Sequence, residues 1–236
     1  MTERPLDGRV SVVTGASRGL GAAVARHLAA AGSHVVLVGR TVGGLEETDD
    51  AVKAVGGTAT IVPLDLADHD RVLTLGPHLH ERFGRVDALL GLAADLGALS
   101  PVPHGDLKVW QRVLDVTLTA NHRLLTSLHP LLARSPSGRV VVATCRQSDG
   151  QSPFWYAYAT AKAGLEAVVR MYASETETTS VRANLVDPGP MRTRLRATAY
   201  PGEDAAALAD PNDRAAAVAV LAGPKTTLTG QTVRLG

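Results

Sequence analysis

The regular alternation of short apolar runs with helical patterns is the feature that most restricts how this chain can fold. Apolar runs predict strands at residues 9–14, 34–39, 59–64, 88–93, 139–143, 182–186 and 231–235. Helical patterns fill the gaps, at residues 19–31, 42–55, 68–83, 106–134, 156–176 and 204–222. Strict alternation implies right-handed βαβ crossovers, so the sequence predicts an α/β fold with a doubly wound parallel sheet and helices on both faces.

The chain is expected to form a single domain over residues 1–236, because no repeat or linker interrupts the pattern. Residues 191–213, which carry mixed charge and two prolines, are predicted to form a surface lid or two short helices. Strands that are apolar on both faces, such as residues 34–39, are typical of the middle of a parallel sheet.

Composition excludes several classes of function. With 24 Lys and Arg against 23 Asp and Glu, the net charge of +1 argues against nucleic-acid binding. A single cysteine, Cys145, excludes an internal disulfide and fits a reducing compartment. The charged N-terminus lacks the apolar core of a signal peptide, and no apolar run approaches the ~18 residues of a membrane helix. We therefore expect a soluble, cytoplasmic protein with no membrane partner.

A glycine-rich loop, TGASRGLG at residues 14–21, joins the first strand to the first helix. Glycines there permit a tight turn and let the backbone approach a pyrophosphate closely, while the helix N-terminus offers free N–H groups to the anion. This placement predicts a dinucleotide site, although the spacing differs from the commoner G-x-G-x-x-G. The predicted contacts in the loop are Gly15, Ser17, Arg18, Gly19, Leu20 and Gly21.

The second strand ends in Gly39-Arg40-Thr41, without the acidic residue that usually holds a ribose 2′-hydroxyl. Arg18 and Arg40 could instead flank a 2′-phosphate, which favours NADP(H) and leaves NAD(H) possible. The alternative is that both are solvated surface arginines. Asp65, after the third strand, is placed to contact the adenine.

These motifs, together with Tyr158-x-x-x-Lys162 and Asn184-x-x-x-Pro188-Gly189-x-x-x-Thr193, resemble the short-chain dehydrogenase/reductase family over essentially the whole length. The resemblance implies a Rossmann-type fold of about seven strands, an NAD(P)H-dependent oxidoreductase and a homodimer or homotetramer. It adds Leu66, Ala93, Tyr158, Lys162, Pro188, Gly189 and Thr193 to the cofactor-binding residues.

Tyr158 and Lys162 lie four residues apart on a predicted helix, so they share one face. An ammonium beside a phenol is expected to lower the phenol pKa. That suits a general acid which protonates a carbonyl oxygen while hydride arrives from nicotinamide. The resemblance assigns this role to Tyr158 and gives Lys162 the ribose hydroxyls as well.

The sequence departs from the family pattern at catalytic positions. Cys145 stands where the family has a serine that donates to the substrate oxygen, and a thiol is a weaker donor. A packing role for this thiol is the plainer interpretation, and Thr144 or Ser148 could supply a hydroxyl. Thr117 replaces an asparagine that holds a water. A milder change is GLAA at residues 91–94, where the family has Asn-Asn-Ala-Gly.

Two functions therefore stay open. The first is an NADP(H)-dependent enzyme that interconverts a small-molecule carbonyl and alcohol, and the second is a cofactor-binding homologue with little turnover and a sensing or scaffold role. Aromatic residues at 154, 155, 156 and 158 predict either an apolar substrate wall or core packing. No His or Cys spacing predicts a metal site.

The helical segments 106–134 and 156–176 carry apolar residues on more than one face, which predicts a subunit interface. The apolar residues that exceed one stripe are Leu107, Val113, Leu114, Leu118, Leu124, Leu125 and Leu128. Relatives in the family form dimers and tetramers through these helices.

Overall fold

Seven parallel strands form one sheet within residues 4–236, the part of the chain that the computed structural model describes. The strands are β1 (Val10–Thr14), β2 (His34–Gly39), β3 (Thr58–Pro63), β4 (Ala88–Gly91), β5 (Arg139–Ala143), β6 (Arg182–Asp187) and β7 (Thr232–Arg234). The helices are α1 (Gly19–Ala30), α2 (Val42–Ala54), α3 (His69–Phe83), α4 (Leu107–Leu114), α5 (Ala120–Leu132), α6 (Tyr156–Glu175), α7 (Arg194–Ala199) and α8 (Pro211–Leu221). The predicted fold class is confirmed.

The strand order β3-β2-β1-β4-β5-β6-β7 places the reversal of winding between β1 and β4. Thr14 and Gly91, the last residues of these two strands, are paired across the sheet. In an open parallel sheet, ligands bind beyond the carboxyl ends of the strands at such a reversal. The loops that follow β1 and β4 therefore meet where a ligand is expected.

The two faces of the sheet bury separate apolar clusters. Along β1, Val10 and Val12 pack with residues of α3, α5 and α6, whereas Val13 packs with residues of α1, α2 and α8. Alternate residues of a strand point to opposite faces, so the continuous apolar run in β1 serves both layers. Because both faces of the strand are covered, the position of its carboxyl end, where the loop begins, is fixed.

The predicted helix over residues 106–134 is interrupted. A π-helical turn occupies Asp115–Thr119 between α4 and α5. Such a turn inserts one extra residue into the helix, and turns of this kind are frequent at functional sites. Periodicity alone did not reveal it, because the apolar spacing on either side is compatible with one continuous helix.

The predicted helix over residues 204–222 begins too early. In the structure a single 3₁₀ turn, Ala205–Ala207, precedes α8, which starts at Pro211. The Asp210 side chain caps α8, and the Asp213 carboxylate accepts a hydrogen bond from the Asp210 N–H in a capping box. Proline at the first helical position and this cap set the true boundary. Between β6 and α8 lie α7 and this turn, in agreement with the predicted pair of short helices.

Most of the apolar residues that exceeded one helical stripe, and so predicted a subunit interface, are buried within the chain itself. Leu124 and Leu128 are fully buried between the sheet and α3, and Val113 is buried against Ala157 and Ala161 of α6. Leu107 is 82% exposed, and Leu114 and Leu118 are only partly buried. Part of the apolar excess is therefore covered by α3 and α6, which the sequence pattern had left unassigned, and the homo-oligomer stays a prediction.

Candidate active site

A cavity of about 770 Å³ runs along the carboxyl edge of the sheet, from the loop after β1 to the first turns of α6. Loops that follow six of the strands contribute to its wall. All but one of the site residues predicted from the sequence line it: Gly15, Ser17, Arg18, Gly19, Leu20, Gly21, Arg40, Asp65, Leu66, Ala93, Thr144, Cys145, Tyr158, Lys162, Pro188, Gly189 and Thr193.

The glycine loop is packed so closely that side chains are excluded at two positions. Gly15 has a φ of 68°, and a Cβ there would lie 3.0 Å from the backbone of Ala93. A Cβ on Gly21 would collide with the carbonyl oxygen of Gly15. Thr14 Oγ1 accepts hydrogen bonds from the N–H groups of Leu92 and Ala93, which ties the loop after β4 to the end of β1. These contacts hold the glycine loop against the carboxyl edge of the sheet.

The N-terminus of α1 is open to a ligand. Arg18 occupies the capping position with an extended backbone, and its side chain makes no capping hydrogen bond. The N–H groups of the first helical turn have no intrahelical acceptors, and with the helix dipole they favour an anion. Thr193, from the loop before α7, lies over this turn, with its Cγ2 3.5 Å from the position of a Cβ on Gly19. These features fit a dinucleotide pyrophosphate.

Arg18 and Arg40 are exposed side chains on the cavity wall. Asp65, also on the wall, binds Arg112 of α4, whose Nη2 lies 3.1 Å from both carboxylate oxygens. Burial raises the pKa of Asp65, but hydrogen bonds from Ala67 N–H and Arg112 and the charge of Arg40 outweigh it and hold the pKa below its ordinary value. The Asp65 carboxylate is thus ionised and fixed at the predicted adenine end.

Tyr158 and Lys162 lie in the first turns of α6, where both side chains are buried. Lys162 Nζ donates to the carbonyl oxygen of Ala143, at the end of β5, over 2.6 Å, and lies 5.6 Å from the centre of the Tyr158 ring. Burial raises the pKa of Tyr158 far above its ordinary value, and Cys145 and Asp187 add to the shift. In the protein alone the pKa of Tyr158 is therefore shifted in the direction opposite to the one expected from a neighbouring ammonium, because the phenol is desolvated.

Cys145 follows β5, lines the cavity and packs against an apolar cluster that includes Leu96, Tyr158 and Ala199. Burial raises the pKa of its thiol, against the opposing charge of Lys162. The two neighbouring hydroxyls already have an acceptor within the protein. Thr144 Oγ1 and Ser148 Oγ both lie 2.5 Å from Oε1 of Glu166 and donate to it.

Thr117 is the predicted site residue that does not line the cavity. It is fully buried in the π-helical turn, and its Oγ1 accepts a hydrogen bond from the N–H of Asp95. Its neighbour Val116 faces the cavity instead. That hydroxyl anchors the loop after β4, and a catalytic role for Thr117 stays a prediction.

A contact with the side chain of Asn121 explains why position 91 is a glycine. Asn121, one turn after Thr117, is buried, and its Oδ1 lies 2.5 Å from the position that a Cβ on Gly91 would take. Its Nδ2 donates to the carbonyl oxygen of Thr117 over 2.9 Å. An asparagine side chain thus reaches the end of β4 from the neighbouring helix, where an asparagine on the strand itself would collide.

The predicted aromatic wall divides into two parts. Trp155 lines the cavity, and its ring lies 5.8 Å from Tyr158 and 5.7 Å from Tyr200. Phe154 is 56% exposed, and Tyr156 stacks on Trp110 at 5.5 Å, outside the cavity wall. Trp155 therefore contributes the aromatic surface beside Tyr158, together with Tyr200 from the end of α7.

Two further features of residues 4–236 concern membranes and metals. No helix in that range has both the length and the apolar character to cross a bilayer. The same range holds no group of three or more His, Cys, Asp or Glu side chains that could hold a metal ion.

Comparison with known proteins agrees with the fold and the motifs. A model of the short chain dehydrogenase family matches residues 9–204. This chain belongs to the short-chain dehydrogenase family. The uncharacterized oxidoreductase YciK of Escherichia coli K12 is 31% identical over 211 residues, which are 88% of this chain and 83% of YciK.

Two solved structures are similar to this short-chain dehydrogenase over almost their whole length. A short chain dehydrogenase from Salmonella enterica serovar Typhi superposes with a TM-score of 0.94 at 30% identity, covering 100% of this chain and 98% of its own. A short chain dehydrogenase from Escherichia coli CFT073, complexed with NADPH, has a TM-score of 0.92 at 30% identity and covers 100% and 99%. The recognition of the family from its motifs is confirmed.

Sequence reasoning missed three polar residues around the cavity of this dehydrogenase. Arg112 holds Asp65, Asp95 lies 3.6 Å from Arg112, and Glu166 binds the hydroxyls beside Cys145. For Glu166 the sequence carried a usable signal, because it follows Lys162 by four residues on the same helix face. Arg112 and Asp95 come together only through the folding of the chain.

The buried Lys162 predicts a measurable pH dependence of stability. Burial lowers its pKa from 10.5 to about 8, so between these values the unfolded chain binds one more proton than the folded chain, and stability rises with pH. Relative to Lys162→Met, we expect the free energy of unfolding of the wild type to rise by about 2 kcal/mol between pH 7.5 and 9.5. Urea denaturation at both pH values measures it. Lys108→Met, at an exposed position on α4, is the control variant. The prediction is contradicted if the free energy of unfolding of the wild type, relative to Lys162→Met, does not change between the two pH values.

Proposed function

We propose that this short-chain dehydrogenase is an NADP(H)-dependent enzyme that interconverts a carbonyl and an alcohol, with Tyr158 as the acid and base. The observation that carries the proposal is that a single cavity joins the uncapped glycine loop at α1 to the buried pair of Tyr158 and Lys162. A dinucleotide bound along the sheet edge would have its reactive end close to Tyr158.

Each residue has a definite part in this proposal. When bound, the cofactor supplies or accepts the hydride. Tyr158, which burial keeps protonated, donates its hydroxyl proton to the carbonyl oxygen of the substrate during reduction. Lys162, anchored by the carbonyl of Ala143, holds a positive charge near the phenol and favours the phenolate left after proton transfer. In alcohol oxidation the same proton moves back to Tyr158.

The proposed preference for NADP(H) rests on Arg18 and Arg40. Both are exposed on the cavity wall beside the glycine loop, and the end of β2 carries no carboxylate that would repel a 2′-phosphate. Guanidinium groups suit phosphate because they donate paired hydrogen bonds. The NADPH complex of the relative from Escherichia coli CFT073 supports the same choice.

The proposed substrate is a carbonyl or alcohol on an apolar or aromatic compound. Around Tyr158 the packed side chains are Leu96, Cys145, Trp155, Ala199 and Tyr200, which leave an apolar surface with one phenol hydroxyl. An apolar pocket with few polar groups selects an apolar body and orients one polar atom.

Replacing Tyr158 tests the proposed acid. In Tyr158→Phe we expect reduction of an accepted carbonyl compound to slow by a factor of about 10³, since general acid catalysis contributes in that range. The NADPH dissociation constant, from fluorescence titration, should stay within about twofold. Tyr156→Phe is the matched control, because its ring stacks on Trp110 outside the cavity. Undiminished turnover in Tyr158→Phe would exclude this role.

Replacing Arg40 tests the cofactor preference. Loss of one charged hydrogen bond to a 2′-phosphate should weaken NADPH binding by about tenfold in Arg40→Gln. NADH binding should change little, since NADH lacks that phosphate. Parallel fluorescence titrations with both cofactors measure the difference, with Arg134→Gln, exposed at the end of α5, as the control. Equal losses for both cofactors, or tighter NADH binding by the wild type, would reject the preference.

A second candidate function is cofactor binding with little turnover. It is favoured by Cys145, because the hydroxyls on either side of this thiol donate to Glu166. If the thiol limits the rate, Cys145→Ser should raise kcat by a factor of about 10², because one hydrogen-bond donor to the reacting oxygen usually contributes a factor of that size. Cys145→Ala should not. If the wild type turns over as fast as Cys145→Ser, the second candidate fails.

A further inference from the structure

Glu166 lies at the centre of a hydrogen-bond cluster directly behind the catalytic pair. Tyr158, Lys162, Glu166 and Arg170 follow one another at intervals of four on α6, so they share one face of the helix. The Glu166 side chain is 13% exposed. Its Oε2 accepts a hydrogen bond from Arg170 Nη2 over 2.6 Å, while its Oε1 faces the turn after β5.

That turn carries Cys145, and Glu166 binds it on both sides of the cysteine. Oε1 accepts hydrogen bonds from Thr144 Oγ1 and from Ser148 Oγ, each over 2.5 Å. The turn is also closed on itself, since the Cys145 carbonyl oxygen accepts from the Ser148 N–H over 3.2 Å and lies 2.8 Å from Ser148 Oγ, as a second acceptor for that hydroxyl. One oxygen that accepts from two hydroxyls at this distance is a carboxylate, because charge-assisted bonds of this kind are short.

We propose that Glu166 is a positioning residue, which clamps residues 144–148 so that the Cys145 side chain is held against Tyr158 at the substrate end of the cavity. This inference rests on the proposed function, in which Tyr158 handles the proton. Cys145 packs with Tyr158, Leu96 and Ala199, so a shift of its turn changes the space that a substrate oxygen would occupy. Glu166 itself does not line the cavity and acts through the turn.

The charge of Glu166 supports this role. Burial raises its pKa, but the hydrogen bonds from Ser148, Thr144 and Arg170 outweigh the burial and hold the pKa below its ordinary value. The carboxylate is therefore ionised at neutral pH. A thiol forms weaker hydrogen bonds than a hydroxyl, so its contribution depends on how well the backbone holds it in place.

The single cysteine allows a test that requires no substrate. We would measure the rate at which iodoacetamide alkylates Cys145 in the native chain. Loss of a clamp bond in Thr144→Val or Ser148→Ala, or the weaker acceptor in Glu166→Gln, should loosen the turn and raise this rate about fivefold, which corresponds to ~1 kcal/mol. Thr144→Ser, which keeps the hydroxyl, should return the rate to the wild-type value. Glu175→Gln, exposed at the end of the same helix, should leave it unchanged.

The hydroxyl variants separate the clamp from a simple effect of charge. Thr144→Val and Ser148→Ala remove hydrogen bonds but leave the carboxylate in place. If Glu166→Gln alone raises the alkylation rate, the effect is electrostatic and the clamp is overturned. Unchanged rates in both hydroxyl variants, with unfolding transitions that show them folded, also overturn it.

Turnover gives the second readout and separates this inference from the proposed function. Thr144→Val should lower kcat, by on the order of 10²-fold for a displacement of about 1 Å, with an unchanged NADPH dissociation constant, and Thr144→Ser should restore kcat. Turnover that is abolished by Tyr158→Phe but equal in Thr144→Val and the wild type would overturn the clamp and leave the proposed function standing. Faster alkylation in a chain without turnover would keep the clamp and reject the proposed function.

Discussion

The close backbone packing between the loops after β1 and β4 is the constraint on which the rest of the site depends. A side chain on Gly15 would press on the backbone of Ala93, and Thr14 Oγ1 ties the two loops together. Because β1 and β4 are adjacent at the reversal of winding, their ends open one continuous groove. The same groove continues past β5 to the first turns of α6, so one packing constraint places both ends of the cavity.

Burial sets the chemistry at the far end of this groove. Tyr158 and Lys162 are held in a poorly solvated place, where burial raises the pKa of the phenol and lowers that of the ammonium to about 8. The raised pKa keeps the Tyr158 phenol protonated, while a pKa of about 8 still leaves most of Lys162 charged at neutral pH. A charge that arrives or develops beside the pair therefore has a large effect, since little water is present to screen it.

Local patterns predicted the strands and the glycine loop well, because apolar periodicity and glycine spacing reflect short-range geometry. They failed where long-range packing decides the outcome. Thr117 was predicted as a catalytic residue, whereas its hydroxyl binds the backbone of Asp95 and does not line the cavity. Leu124 and Leu128 were counted among the apolar residues in excess of one stripe, and in the fold they are buried with residues of α3. In both cases the partner is distant in sequence, and no local pattern identifies it.

The sequence by itself determined the α/β fold, the dinucleotide loop and the helical spacing of Tyr158 and Lys162, since these depend on backbone geometry and residue order. Only the tertiary structure decided how the side chains are used. It turned the hydroxyls of Thr144 and Ser148 to Glu166, and it buried Tyr158 deeply enough to reverse the expected direction of its pKa. Desolvation and hydrogen-bond partners arise from elements that meet in space, so the order of residues alone does not specify them.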